Sequence, residues 1–205
     1  MDYFPKMQCE HYYHIYNRTN GNENLFIEEM NYYYFLRRLS LYTFPVADIV
    51  AYCLLKNHFH LLIKIKPEAE ITKNSNDWCQ QLMIPPVKLK PELQLSKAFN
   101  SYAKGVNKKY ERHGSIFQKR FRRIGLTDHS HLLNTIAYIH VNAEHHGLVD
   151  RFYQWKFTSY HLAVGREHSS IHDLVLPLFG GRTKCIEFHH AFVRARQFDK
   201  VFQEQ

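Results

Sequence analysis

Residues 46–66, VADIVAYCLLKNHFHLLIKIK, hold two apolar runs separated by Lys56-Asn57. Each run is far too short to cross a bilayer. Rich in Val, Ile and Leu, and joined by a short polar step, they predict a hairpin of strands 46–55 and 58–66. Side chains on a strand alternate faces, so His58 and His60 share one side while Phe59 enters the opposite layer. Two imidazoles one pleat repeat apart can grip a single divalent ion. A pair of half-buried rings bonded to backbone or water is the plain alternative. Two polar rings in so apolar a strand nevertheless need a reason.

Outward from the hairpin, residues 11–18 alternate as a strand and end in the turn-forming Asn20-Gly21-Asn22. Residues 28–42 have helical spacing, with Met30, Tyr34, Leu36 and Leu39 among the apolar positions. Residues 67–94 mix four prolines with polar residues and read as a long excursion. A helix follows over 96–109 with Ser96 as its N-cap, Gly114 breaks it, and 115–126 reads as a basic strand. Asp128 caps a further helix that runs to about residue 144, with Gly147 as its stop. Strand, helix, strand, strand, helix, strand is the split βαβ order. The expected fold is therefore α+β: a ferredoxin-like antiparallel sheet with helices on one face, plus a tyrosine-bearing helix and a C-terminal helical extension. The division is one domain over 1–165 and an extension over 166–205, with an amphipathic stretch near 185–202.

The chain has 205 residues, 45% of them hydrophobic and 15% aromatic, enough for a sizeable core. Four scattered cysteines without a C-x-x-C pair suit buried thiols in a reducing cytosol better than a zinc site or a disulfide framework. The first six residues show no basic segment leading into an apolar stretch, so no secretory signal is visible and a cytoplasmic, nucleoid-associated protein is expected. Lys plus Arg number 27 against 19 acids, a net +8, which points to a polyanionic partner. Lys104, Lys108, Lys109, Arg112, Lys119, Arg120, Arg122 and Arg123 concentrate the excess, with Glu111 the one acid among them. A charge run is often only a solvated face. Interleaving with Tyr102, Tyr110, Phe117 and Phe121 suits phosphate tracking with base stacking.

In the helix over 130–144, Leu132, Ile136, Ile139 and Ala143 form an apolar stripe. Tyr138 and Asn142 lie off it, one turn apart on the same side, with His145 continuing the line. The chain has 14 tyrosines. Tyr102 is the obvious rival, but its spacing from Phe99 and Val106 marks it as core. Beside a histidine pair and a basic segment, Tyr138 becomes a candidate nucleophile and Asn142 a candidate third metal ligand. A phosphotyrosine ester keeps a good leaving group, so a strand broken this way can be rejoined without external energy.

Three pieces occur in order: Tyr52-Cys53-Leu54-Leu55-Lys56-Asn57-His58-Phe59-His60-Leu61-Leu62, Gly114-Ser115-Ile116-Phe117-Gln118-Lys119-Arg120-Phe121 and Tyr138-Ile139-His140-Val141-Asn142. Together they resemble the HUH (His-hydrophobic-His) single-tyrosine transposases, in particular the REP-associated tyrosine transposase-like branch. His11-Tyr12-Tyr13-His14-Ile15-Tyr16-Asn17-Arg18 resembles the family's first strand, and Trp155-Lys156-Phe157-Thr158-Ser159-Tyr160 its Trp-x-x-Ser-Ser-Tyr element. The resemblance spans roughly residues 9 to 165. It implies His58, His60 and Asn142 as ligands of Mg²⁺ or Mn²⁺, Tyr138 as nucleophile, a 5′-phosphotyrosine intermediate and recognition of an imperfect DNA hairpin. Lys56 stands where the family has proline, and Asn142-Ala143 where it has Asn-Pro; both departures leave ligand identity intact. The expected partner is single-stranded or hairpin DNA and not a membrane, with a homodimer left open. A catalytically silent hairpin-binding protein and a metal-dependent nuclease that uses water are the competing readings. The basic residues Arg182, Lys184, Arg194 and Arg196 make a second DNA contact conceivable, with an ordinary solvated helix face the alternative.

Overall fold

The computed structural model describes residues 6–21, 23–81, 83–85 and 87–195. Arg196, the end of the amphipathic stretch and the N-terminal five residues lie outside them.

Four strands, β1 (Tyr12–Arg18), β2 (Ala47–Leu54), β3 (His58–Ile65) and β4 (Arg122–Leu126), form one antiparallel sheet in the order β2-β3-β1-β4. This is the split βαβ arrangement the sequence predicts, with β3 inserted between β1 and β2. Helices α1 (Glu29–Thr43) and α3 (Pro91–Lys109) cover the face that carries Tyr13, Ile15, Phe59, Leu61 and Ile63. Helix α4 (His129–His145) covers the other face, packing on Val50, Ala51, Cys53 and Leu62. The two helices of the split βαβ unit thus share one face, as expected, and the tyrosine-bearing α4 covers the other. Strand β3 is buried along nearly its whole length because it is central and covered twice, which is why its sequence is a near-continuous apolar run.

Several elements differ from their sequence reading. The excursion at 67–94 contains helix α2 (Glu68–Gln81), whose buried face is only Ile71, Ser75 and Cys79. A stripe with serine in its middle carries little apolar signal. Helix α3 begins at Pro91, not Ser96, with proline supplying the fixed φ of a first helical position. Ser96 sits within the helix and its hydroxyl donates to the Glu92 carbonyl at 2.9 Å. Strand β4 is confined to five residues, and 115–121 approaches β1 through a single Thr19–Phe117 bridge. On α1 the buried apolar positions are Tyr32, Phe35 and Leu39, whereas Met30 is 63% exposed. Tyr102 is core, its hydroxyl donating to the Leu25 carbonyl at 2.7 Å.

Beyond α4, helices α5 (Tyr160–Val164), α6 (Ser170–Phe179) and α7 (Arg182–Arg194) complete the second layer, with Ile171, Val175, Phe179, Cys185 and Phe192 joining its core. Residues 157–159 close the free edge of β2: Leu54 N–H donates to Phe157 O and Ser159 N–H to Tyr52 O, each at 2.9 Å. Covering an edge this way removes a template for unwanted strand pairing. Helix α7 is tied to α4 through a buried polar chain. His189 Nδ1 lies 2.7 Å from the Cys185 carbonyl, His140 Nδ1 lies 2.8 Å from His189 Nε2, and Ser159 Oγ lies 2.9 Å from His140 Nε2. A carbonyl only accepts, so His189 carries its proton on Nδ1 and accepts on Nε2. His140 must then donate from Nδ1 and accept from the serine. With both rings neutral, this is the one proton order the chain allows.

Burial holds the His189 pKa down at about 4 and that of His140 well below its ordinary value. Below pH 6.5 the unfolded chain therefore takes up protons that the folded chain refuses. Stability is at its full value above that pH and falls as pH drops toward the folded pKa. Urea unfolding at pH 7, 6 and 5 is expected to show this decline, and His189→Gln to flatten its slope by up to about 1.4 kcal/mol per pH unit. An unchanged slope in that variant would mean that His189 is not held neutral by burial.

Candidate active site

The β1–β3 register sets Tyr16 opposite His60 and Arg18 opposite His58, on the face of the sheet that α4 covers. His60 is 2% exposed and His58 is half-buried. Their rings stand nearly perpendicular, with centroids 5.4 Å apart. From α4, the Tyr138 ring meets the His60 ring edge-on at 5.4 Å. The late helix and the middle strand thus bring the three sequence-predicted residues together on one side of the sheet. Asp128 sets the phase of that helix, its carboxylate accepting from His131 N–H at 2.7 Å.

Asn142 completes the group one turn beyond Tyr138. It is fully buried, and neither atom of its amide makes a hydrogen bond of acceptable geometry. It lies close enough to the His58 ring and the Tyr138 hydroxyl to bias the protonation of both. A buried amide left without a partner costs roughly 1–3 kcal/mol, so its retention needs an explanation. Because α4 is enclosed by the sheet on one side and α5–α7 on the other, Tyr138 and Asn142 are interior residues rather than rim residues.

Protonation states suit a ligand set. Burial, followed by the nearby His146 and Arg18, lowers the His58 pKa to about 4. Burial and the neighbouring imidazoles hold His60 well below the usual histidine range. Both rings are neutral at pH 7, as metal binding requires. His58 Nδ1 donates to the Asn57 side-chain oxygen at 2.7 Å, which leaves Nε2 with a free lone pair. His58 Nε2, a His60 nitrogen and the orphaned Asn142 oxygen are an N/O set that fits a small divalent cation. Among the described residues no three His, Cys, Asp or Glu side chains form a group that could hold a metal ion, so a third donor would have to be the amide.

The histidines open on a cavity of about 430 Å³ that Arg18, Gln118, Arg122 and His146 also line. His146, whose ring centroid is 4.8 Å from that of His58, escaped the sequence reading, as did His14, Tyr16 and Arg18. The alternation of residues 11–18 already puts the last three on one face. Tyr138 does not line this cavity and is 3% exposed; burial raises its pKa to about 12.

A second cleft of about 610 Å³ lies between α3 and residues 114–121 and shares Asn17 and Gln118 with the first. Lys104, Lys119, Arg120 and Arg123 line it, while Arg122 faces the histidine cavity and Lys108 is exposed one turn beyond Lys104. Lys109 and Arg112 are instead paired with Glu28 and Glu23. Of the interleaved aromatics, Phe117 and Phe121 line this cleft with little exposed surface, whereas Tyr102 does not reach it. Tyr102, Phe117 and Phe121 are at most 9% exposed and belong to the core beneath α3, and the Tyr110 hydroxyl donates to Asn31.

No family model matches the chain. A provisionally named REP-associated tyrosine transposase of Haemophilus influenzae is 32% identical over 120 residues, which cover 58% of this chain and 62% of that protein. The match thus spans less than two thirds of the relative's length. A solved structure described as a REP-associated tyrosine transposase bound to a REP hairpin superposes with a TM-score of 0.59 at 15% identity, covering 83% of this chain and 93% of the other. At that identity the superposition establishes the shared fold. No helix among the described residues is long and apolar enough to cross a membrane. Over 58% of its length the chain is thus similar in sequence to a protein provisionally named a REP-associated tyrosine transposase, and over 83% of its length it shares the fold of the solved one.

Proposed function

We propose that this chain is a metal-dependent DNA strand transferase that cleaves and rejoins single strands beside a hairpin through a 5′-phosphotyrosine. The observation that carries the reading is the convergence of His58, His60, Tyr138 and the unpartnered Asn142 amide from two elements onto one side of the sheet. The similar proteins named above are described as a transposase and as a transposase bound to a REP hairpin, which supports a hairpin as substrate.

His58, His60 and Asn142 would hold Mg²⁺ or Mn²⁺, which when bound withdraws charge from the scissile phosphate. The Tyr138 oxygen attacks phosphorus and loses its proton. The phosphorus–O3′ bond breaks, and the departing oxygen takes up a proton to become a free 3′-hydroxyl. Attack of a 3′-hydroxyl on the same phosphorus reverses each change and releases the phenol. With a pKa near 12, only about one phenol in 10⁵ is ionised at neutral pH. Activation must therefore come largely from the phosphate side. Burial also keeps the phenol off the cavity wall, so reaction requires a movement of Tyr138 or of α4 toward it. The two connected clefts, lined by Lys104, Lys119, Arg120, Arg122 and Arg123, supply a cationic path for the strand that leads to the histidines.

A nicked hairpin substrate incubated with Mg²⁺ is expected to give a covalent adduct on Tyr138, seen as a mass shift, and Tyr138→Phe to abolish it while keeping hairpin affinity. Cleavage that survives Tyr138→Phe would instead indicate a nuclease using water, and binding without any cleavage a silent hairpin-binding protein. His58→Ala or His60→Ala is expected to lower cleavage by at least about 100-fold and hairpin affinity by less than about 3-fold, since phosphate and base contacts dominate binding. Equal loss of both would make the histidines structural. Neutralisation of about five phosphates predicts that log K for single strands falls with log salt at a slope near −3.5. A flat response would remove the polyanion from the reading.

A further inference from the structure

His14 has no part in the sequence-predicted ligand set, yet it is 1% exposed on the central strand β1, and its Nε2 lies 3.0 Å from Nδ1 of His60. The two rings are stacked at 24° with centroids 5.2 Å apart. His60 is opposite Tyr16 in the β1–β3 register, so His14 reaches it diagonally, one pleat away on the same face.

A neutral imidazole has one N–H and one lone pair. His14 occupies Nδ1 of His60, so Nε2 is the nitrogen left for any other partner. If Nδ1 accepts from His14, the His60 proton is on Nε2 and the ring cannot bind a cation. If Nδ1 donates to His14, Nε2 is a bare lone pair. His14 therefore decides which of two chemically different histidines His60 is. His58 has its counterpart in Asn57, whose side-chain oxygen accepts the Nδ1 proton at 2.7 Å. The two neighbouring rings are thus each engaged at Nδ1, from different elements and by different chemistries. Histidine ligands regularly donate their second N–H to an acceptor that fixes tautomer and ring orientation.

We infer that His14 is a positioning residue for the metal site: with its own proton on Nδ1, it accepts from His60 Nδ1–H and so holds His60 as an Nε2 ligand. The inference rests on the metal reading above and adds to it a residue that touches neither substrate nor ion. Leucine at this position would leave a buried N–H unpartnered and free the tautomer. Glutamine can present a side-chain oxygen as the acceptor in its place.

Two measurements on the full chain test this. Long-range ¹H–¹⁵N spectra of the metal-free protein are expected to show His60 protonated on Nδ1; a proton on Nε2 would overturn the inference without any variant. Mn²⁺ titration, followed by loss of the free-ion paramagnetic signal, is expected to give an affinity at least about 10-fold weaker for His14→Leu, within the 10–100-fold range typical of such outer partners. His14→Gln is expected to recover at least half of that loss on a logarithmic scale. An affinity in His14→Leu within 3-fold of the parent, or His14→Gln as weak as His14→Leu, would assign His14 to packing alone. The control is His58→Ala. If it binds Mn²⁺ as well as the parent does, the metal reading itself fails and this inference falls with it.

Discussion

The pairing of β1 with β3 settles both the core and the site. In the observed register Tyr13, Ile15, Phe59, Leu61 and Ile63 face α1 and α3, and the same pairing delivers His14, Tyr16, His58 and His60 to the opposite face. A slip of one residue in either strand would exchange its two sets, driving imidazoles into an aromatic core and phenylalanine or isoleucine under α4. Burying even one polar ring without a partner costs several tenths to a few kcal/mol, and a slip would bury more than one. The hydrophobic pattern that stabilises the sheet is therefore also what places the histidines. Register cannot drift at the site without the core failing first.

The second constraint is what closes over those rings. Helix α4 has ten buried residues because it is packed between the sheet and α5–α7, with Ile136, Ile139 and Ala143 fully enclosed. The segment from Trp155 to Tyr160 joins the two layers. Trp155 Nε1 donates to the Leu54 carbonyl at 3.0 Å, and Ser159 contacts the β2 backbone while holding His140 of α4. One serine thus links the edge strand, the tyrosine-bearing helix and, through His189, the last helix. The cost of that closure is an inaccessible phenol. A helix held this way resists large displacement, so the movement that exposes Tyr138 is more economically a local one of the ring and its turn.

Much of the fold was legible because the relevant periods were undiluted. The hairpin, the first strand and the Asp128-capped helix were each read within one or two residues of where they lie. Helix α2 escaped because Ser75 interrupts its short apolar face, and serine satisfies its own hydroxyl by donating to the Ile71 carbonyl at 2.6 Å. Residues 115–121 looked like strand, yet Ile116 and Phe117 are both buried. Consecutive side chains of a flat strand point to opposite faces, and there the outer face has no cover, so the chain kinks to bury both. Tyr102 is withdrawn from any stacking role, and Phe117 and Phe121 expose little, for a related reason. Phe59 and Phe99 need large aromatic neighbours, and ring contacts of 5 to 6 Å within that cluster outrank exposure to a ligand. At the site, His58, His60, Tyr138 and Asn142 were legible as types on known faces. His14 and His146 were not, since their significance lies in a diagonal and a helix-end contact that no single-element pattern encodes.

Under the proposed function, charge would keep such a site poised without reacting. The proposed ligand set is neutral, two imidazoles held below their ordinary pKa and one amide, in a chain of net charge +8 with Arg18 and Arg122 on the cavity wall. A divalent cation entering that field alone gains no carboxylate and meets repulsion. A phosphate diester entering with it supplies both the missing negative charge and further oxygen ligands. Metal and DNA affinity would then be coupled in the same sense from either side, because the coupling free energy belongs to the ternary state and not to one ligand. Replacing Asn142 by a carboxylate would weaken that coupling by giving the cation an anion of its own. Under the proposed function the neutral set would keep cation binding weak until the strand arrives, and the buried phenol would face an activated phosphorus only with DNA in place.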